Sequence, residues 1–234
     1  MKLYTKHVAA VVAVGLCLVA PSSGADPNSN SFDKVAPHGE LSRLSAEWWQ
    51  WALSIPTPAN PLADRTGADC MSGQRGPVWF LAGALFGGKA ERTCTLPADK
   101  ELFFPIINVA SINTPNVCFQ GPEDDSVEAL RLAAATFIDN ASDVAATLDR
   151  KPIHHLRRIE SDVFDVTLPA DNILNPTCVP SVPAGVYSPG VDDGIYAFLK
   201  PLDVGRHELH FHATNGDFFL DITYHLIVVP VRRK

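Results

Sequence analysis

Residues 206–229 read RHELHFHATNGDFFLDITYHLIVV, two alternating apolar and polar runs on either side of Asn215-Gly216. Alternation with a period of two marks a strand buried on one face. An Asn-Gly pair between two such runs is a strong hairpin signal, because both residues tolerate positive φ. If Asn215-Gly216 is the two-residue loop, Thr214 faces Asp217, His212 faces Phe219, His210 faces Asp221 and Glu208 faces Thr223. The core face then carries Leu209, Phe211, Leu220, Ile222 and Leu226, and the other face Glu208, His210, His212, Asp221 and His225. Phe219 and Ile227 share that second face, an expectation that a helix covers it.

More strands are expected upstream at Pro77–Ala84, Glu101–Asn108, Val144–Leu148, Ile153–Ile159, Val163–Leu168 and Ile195–Leu199, rich in branched and aromatic residues and bounded by Gly, Pro or Asp. Two helices interrupt them. Leu41, Leu44, Trp48 and Trp51 fall on one stripe over 41–53, and Pro56 and Pro58 stop that helix. Val127, Leu130, Ala134, Phe137 and Ile138 make the apolar face of a second helix over 126–140, with Glu123, Asp124 and Asp125 where its dipole favours negative charge. From Pro169 to Asp193 five prolines and little periodicity predict a long contact loop. The expected fold is mainly β: a β-sandwich of jelly-roll or immunoglobulin-like type with two packed helices, formed by residues 40–234 as one domain.

The N-terminus reads as an export signal. Lys2 and Lys6 precede the apolar run Val8–Ala20, too short to span a bilayer, and Ser23-Gly24-Ala25 offers small residues for cleavage. A chain cut after Ala25 loses both lysines and no acid, so its net charge moves from −7 to −9. Residues 26–39 read as a flexible arm. The mature chain is expected in the periplasm or outside the cell, with no membrane anchor and no electrostatic affinity for nucleic acid.

Removal of the signal takes Cys17 with it and leaves Cys70, Cys94, Cys118 and Cys178. Four cysteines in an exported chain predict two disulfides, with three possible connectivities. The pairing Cys70–Cys94 and Cys118–Cys178 is favoured, since the first pair flanks one hairpin and the second pins a long loop.

The segments EWWQWALSIPTP, PLADRTGADC, GQRGPVWFLAG, RTCTLPADKELFFPIIN and PLDVGRHELHF resemble a group of uncharacterised bacterial secreted proteins. The resemblance implies export and common ancestry, and it carries no catalytic residue over to this chain.

Chemistry is sought first on the hairpin. Two histidines two apart on one strand with a carboxylate opposite, here His210, His212 and Asp221, form a set that takes a divalent transition metal. Without metal, His210 and Asp221 could act as base and orienting acid, with Glu208 as a further acid. The competing reading makes His210 a covered, structural histidine bonded to Asp221. His207 reads as ordering its turn. His207-Glu208-Leu209-His210 is one residue short of the zincin motif, and Gly83–Lys89 lacks the Ser or Thr of a phosphate loop. Among the tryptophans, Trp49 is the candidate for an exposed, sugar-stacking ring. Two functions follow: binding of an extracellular ligand or protein partner, through the 169–193 loop and the aromatic helix, or a metal- or His/Asp-dependent enzyme acting on an extracellular substrate such as a polysaccharide.

Overall fold

The computed structural model describes residues 33, 34 and 36–231; the signal segment and Cys17 lie outside them. The chain forms α1 (His38–Ser54), β1 (Val78–Phe80), β2 (Gly88–Pro97), β3 (Glu101–Ile112), α2 (Val127–Asp139), β4 (Ser142–Leu148), β5 (Lys151–Pro152), β6 (Arg157–Glu160), β7 (Phe164–Leu168), β8 (Gly185–Leu199), β9 (Gly205–Asn215) and β10 (Phe218–Val229). One sheet runs β1-β3-β8-β6, with β7 also paired to β8; the other runs β2-β10-β9-β4-β5. β1 with β3 and β2 with β10 are parallel pairs. The disulfides are Cys70–Cys94 and Cys118–Cys178, as the spacing favoured.

The two sheets meet over a core of Leu102, Phe104 and Ile107 against Leu209, Phe211, Ile222 and Leu226, every one fully buried. The rings of Phe104 and Phe211 lie 5.3 Å apart across it. β3 is apolar on both faces, so its outer side needs a second cover. α1 provides it: Leu44, Trp48 and Trp51 sink onto Phe103, Tyr196 and Phe198. Trp48 and Trp51 donate their indole N–H groups to Leu81 O (3.0 Å) and Ser72 O (2.8 Å), which satisfies the polar atom that a buried tryptophan carries. α2 starts at Ser126, whose hydroxyl caps the Ala129 N–H.

Several expectations change. The hairpin loop is Gly216-Asp217, with Asn215 opposite Phe218 and Gly216 at φ +56°. Asn215 is held in the ladder because its side chain donates to Phe137 O of α2 (2.7 Å), while Phe218 packs on Phe137. The register therefore slips by two residues, and an even slip leaves every side chain on its expected face. Asp221 now stands opposite His212, and His225 opposite Glu208.

The described end of the arm is tied down rather than loose. Asp33 bridges to Leu199, and the Lys34 N–H donates to Phe198 O. The predicted 169–193 loop is already strand from Gly185, and Asn172, buried, holds Pro169 O and Val182 O with its amide. Among the described residues no helix is long and apolar enough to cross a membrane.

Candidate functional site

The histidine face of the second sheet is open, not covered by a helix: both helices pack on the first sheet, and the side chains of His210 and Asp221 are about one-third exposed. Its partners are divided. His210 Nε2 lies 2.9 Å from Asp221 Oδ1, diagonally across the ladder, and Asp221 Oδ2 takes Lys89 Nζ at 2.8 Å. His212 turns instead to Asp143, at 3.6 Å. His225 meets Glu91 at 2.9 Å and Glu208 at 3.9 Å. Among the described residues no three His, Cys, Asp or Glu side chains are grouped to hold a metal ion. Lys89 and His210 hold the Asp221 carboxyl below the usual carboxylate range, which makes it an ion-pair partner and a poor base. Among the described residues, the concavities of about 540, 560 and 350 Å³ are lined by side chains other than His210, His212 and Asp221.

Trp49 is buried, 5% exposed, so it offers no stacking platform. Helical geometry placed it beside the Trp48–Trp51 stripe, and a buried acid draws it inward. Its Nε1 donates to Asp192 Oδ1 at 2.6 Å. The Tyr196 hydroxyl donates to Asp192 Oδ2 at 2.8 Å and accepts from Asn108 Nδ2 at 2.9 Å. Burial pushes the Asp192 carboxyl well above the ordinary range; the Trp49 and Tyr196 donors work against that, and neighbouring Asp193 adds to it. Burial likewise raises Tyr196.

This network is assembled by a backbone device. The β3–β8 register shifts between Pro105 and Ile107. The extra residue reverses the alternation, so that Phe103 faces α1 before the bulge and Asn108, Ala110 and Ile112 face the α1 side after it. Opposite Asn108 stands Gly194, where an added Cβ would lie 2.5 Å from the Asn108 Cβ and 2.7 Å from the Tyr196 ring. Only glycine leaves room there for the Asn108–Tyr196 bond.

Beside the network lies a cavity of about 350 Å³. Its wall is apolar, from Trp49 and Leu53 of α1, Phe137 of α2, Leu85, Leu174 and Phe218, and its polar groups are Asn108 and Thr114. Asn108 spends Nδ2 on Tyr196; its Oδ1 meets no protein donor among the described residues. Arg158 fixes α2 at this wall. It grips the buried Asp193 through Nε and Nη2 (2.7 Å to Oδ2), reaches Asp139 of α2 at 2.6 Å and donates to Ala135 O. Those carboxylates hold the guanidinium more firmly protonated than usual.

Asp192, Tyr196, Asn108 and Arg158 were not singled out from the sequence. One signal was available: the pair Asp192-Asp193 inside the apolar strand VDDGIYAFL, since buried acids demand partners. Both oxygens of Asp192 are occupied by donors, so the group stiffens the wall and has no free atom with which to attack a substrate.

The chain matches no protein-family model, no characterised protein sequence and no solved structure.

Proposed function

We propose that this is an exported ligand-binding protein, acting in the periplasm or outside the cell, whose site is the cavity between α1, α2 and the end of β3. Export rests on the signal-like N-terminus, on the two disulfides and on the resemblance to secreted bacterial proteins. The ligand is a small, mostly apolar molecule with one hydrogen-bond donor for Asn108 Oδ1. The carrying observation is the cavity itself: a few hundred cubic ångströms, apolar walls, few polar groups and a rigid buried network behind it, which is the form that small-molecule sites take.

N-phenyl-1-naphthylamine, apolar with a single N–H, is the probe. Saturable binding with enhanced probe emission and altered Trp49 fluorescence is expected for the parent. Ala110→Phe, which fills the cavity from β3, should weaken it at least tenfold while the thermal midpoint stays within a few degrees. Absence of saturable binding by the parent, or equal binding by the folded variant, would overturn the reading.

A further inference from the structure

A second concavity, an open groove of about 540 Å³, lies on the other sheet, away from the cavity. Its rim is formed by Thr93 of β2, the Asp149-Arg150 turn, Arg206 to Glu208 of β9 and His225 of β10. The turn joins β4 to β5, with Leu148 opposite Lys151, and both loop residues have positive φ: Asp149 at +51° and Arg150 at +64°. That is the backbone of a tight hairpin turn that Asn-Gly makes at least cost. Non-glycine residues held in the left-handed region recur at functional sites, where the surrounding structure maintains them. Here the strained position presents an arginine to the groove.

Some of the charges in the groove have partners. His207 Nδ1 lies 2.8 Å from Asp149 Oδ2, and Nε2 lies 2.9 Å from the Asp203 carbonyl oxygen. Both partners accept, an arrangement that favours the doubly protonated ring. Asp149 and the Asp203 carbonyl correspondingly raise its proton affinity, although burial opposes them. Asp149 is thus matched by His207, and it also accepts the Glu208 N–H. Glu208 lies 3.9 Å from His225, which Glu91 engages more closely at 2.9 Å, so the Glu208 carboxylate stays in the groove. Arg150 and Arg206 remain: both are exposed, and neither has an acidic partner among the described residues. In a chain of net charge −7 these two forks, beside His207, give the groove cationic positions that its own carboxylates, Asp149 and Glu208, do not engage.

We propose that this groove is a binding site for an oxyanion, a carboxylate or sulfate group carried on an extracellular acidic polysaccharide. Two unengaged guanidinium forks suit planar or tetrahedral oxyanions, which they can grip through paired N–H groups. An open groove on a sheet face, unlike an enclosed pocket, admits a chain that continues at both ends. The site is independent of the ligand cavity and stands whether or not the cavity binds the naphthylamine probe.

Fluorescein-labelled polygalacturonate, dextran sulfate and neutral dextran, titrated into the purified protein at 50 mM and 500 mM salt, test it. At least one acidic polymer should bind and neutral dextran should not, with affinity falling several-fold at the higher salt. Whichever acidic polymer binds more tightly identifies the oxyanion as carboxylate or sulfate. Arg150→Ala/Arg206→Ala, both exposed, should fold as the parent does and lose at least tenfold in affinity. Arg43→Ala/Arg75→Ala, on a different groove, should lose nothing. Failure of both acidic polymers to bind the parent, or equal losses in the two double variants, would overturn the proposal.

Discussion

Replacing Arg92 by lysine should harm the protein more than replacing it by methionine, although lysine keeps the charge. Arg92, on β2, is 1% exposed. Its guanidinium donates to Asp64 O (2.8 Å), Ala82 O (2.5 Å), the Tyr224 hydroxyl (2.8 Å) and Gly83 O (2.8 Å), all neutral oxygens. Burying such a charge costs several kcal/mol, and hydrogen bonds to a charged group return about 1.5–3 kcal/mol each. Arg92→Met keeps much of the side-chain volume and removes both the cost and the bonds. Ala82 O still receives the Tyr224 hydroxyl at 2.8 Å, so the orphans are Asp64 O and Gly83 O, at about 1–3 kcal/mol each. Release of the desolvation cost offsets part of this, and a net loss of about 1–3 kcal/mol is expected. Arg92→Lys keeps the buried charge, but a single ammonium cannot reach carbonyls spread over the width of a guanidinium. The loss should be about 3–5 kcal/mol, as for a buried charge deprived of its partners. Urea unfolding with the disulfides intact reads the order from the midpoints, at unchanged slope. A lysine variant within about 1 kcal/mol of the parent, or more stable than the methionine one, would refute the reasoning.

Four further outcomes are expected. Asp192, with its folded pKa raised, stays protonated in the native state at pH values where the unfolded chain has already ionised. Its contribution to stability therefore falls as pH climbs from about 4, by about 1.4 kcal/mol per unit of separation between the two pKa values. Asp192→Asn should lose that decline, and an unchanged slope between pH 4 and 7 in urea titrations would contradict it. His207 has the opposite sign: its raised pKa gives stability that is complete below about pH 6.5 and lost as pH rises through the folded value. The gap between parent and His207→Gln, about 0.5–1 kcal/mol given the half-exposed Asp149, should shrink from pH 6 to pH 9; a constant gap rejects this. Gly194→Ala should cost about 1–3 kcal/mol by overpacking and weaken naphthylamine binding, since the new methyl displaces both Asn108 and Tyr196; neutral behaviour by thermal denaturation and titration would show that the contact is slack. Zinc in slight excess should leave the thermal midpoint of the parent unchanged, and a rise that disappears in His210→Ala/His212→Ala would restore the metal reading.

Where sequence and structure part, the cause can be traced to single residues. β9, β10 and both helices could be read because their apolar positions keep period, and the core residues expected on the hairpin are the ones buried. β2 was missed, although Ala90, Cys94 and Leu96 alternate inward, because the fourth inward position is Arg92. An arginine there breaks the apolar period, and only the carbonyls of distant loops at 64 and 82–83 explain its presence. The hairpin register likewise depends on Asn215 reaching α2, a contact separated by 78 residues. Trp49 was misplaced for the same kind of reason: a helical wheel sets it at the margin of the stripe, and Asp192, 143 residues away, draws it inside. Each failure involves a polar group whose partner lies far along the chain, beyond the reach of a local pattern.

The two candidate sites follow from a difference between the sheets that is already present in their patterns. β3, as ELFFPIIN, is apolar on both faces, so one side must be closed by a second layer, and α1 supplies it. Where the bulge after Pro105 turns Asn108 and Ala110 toward that layer, neither is large enough to fill the space between the helices, and the cavity results. β9 and β10 alternate in burial and their outer face, which carries Phe219 and Ile227 among polar residues, is left without a covering layer; the groove forms there from charged side chains and a strained turn. Because the sandwich core separates the two, filling the cavity should leave polyanion binding intact, and removing Arg150 and Arg206 should leave naphthylamine binding intact. Coupling in either direction would mean that the core between Phe104 and Phe211 transmits displacement from one sheet to the other.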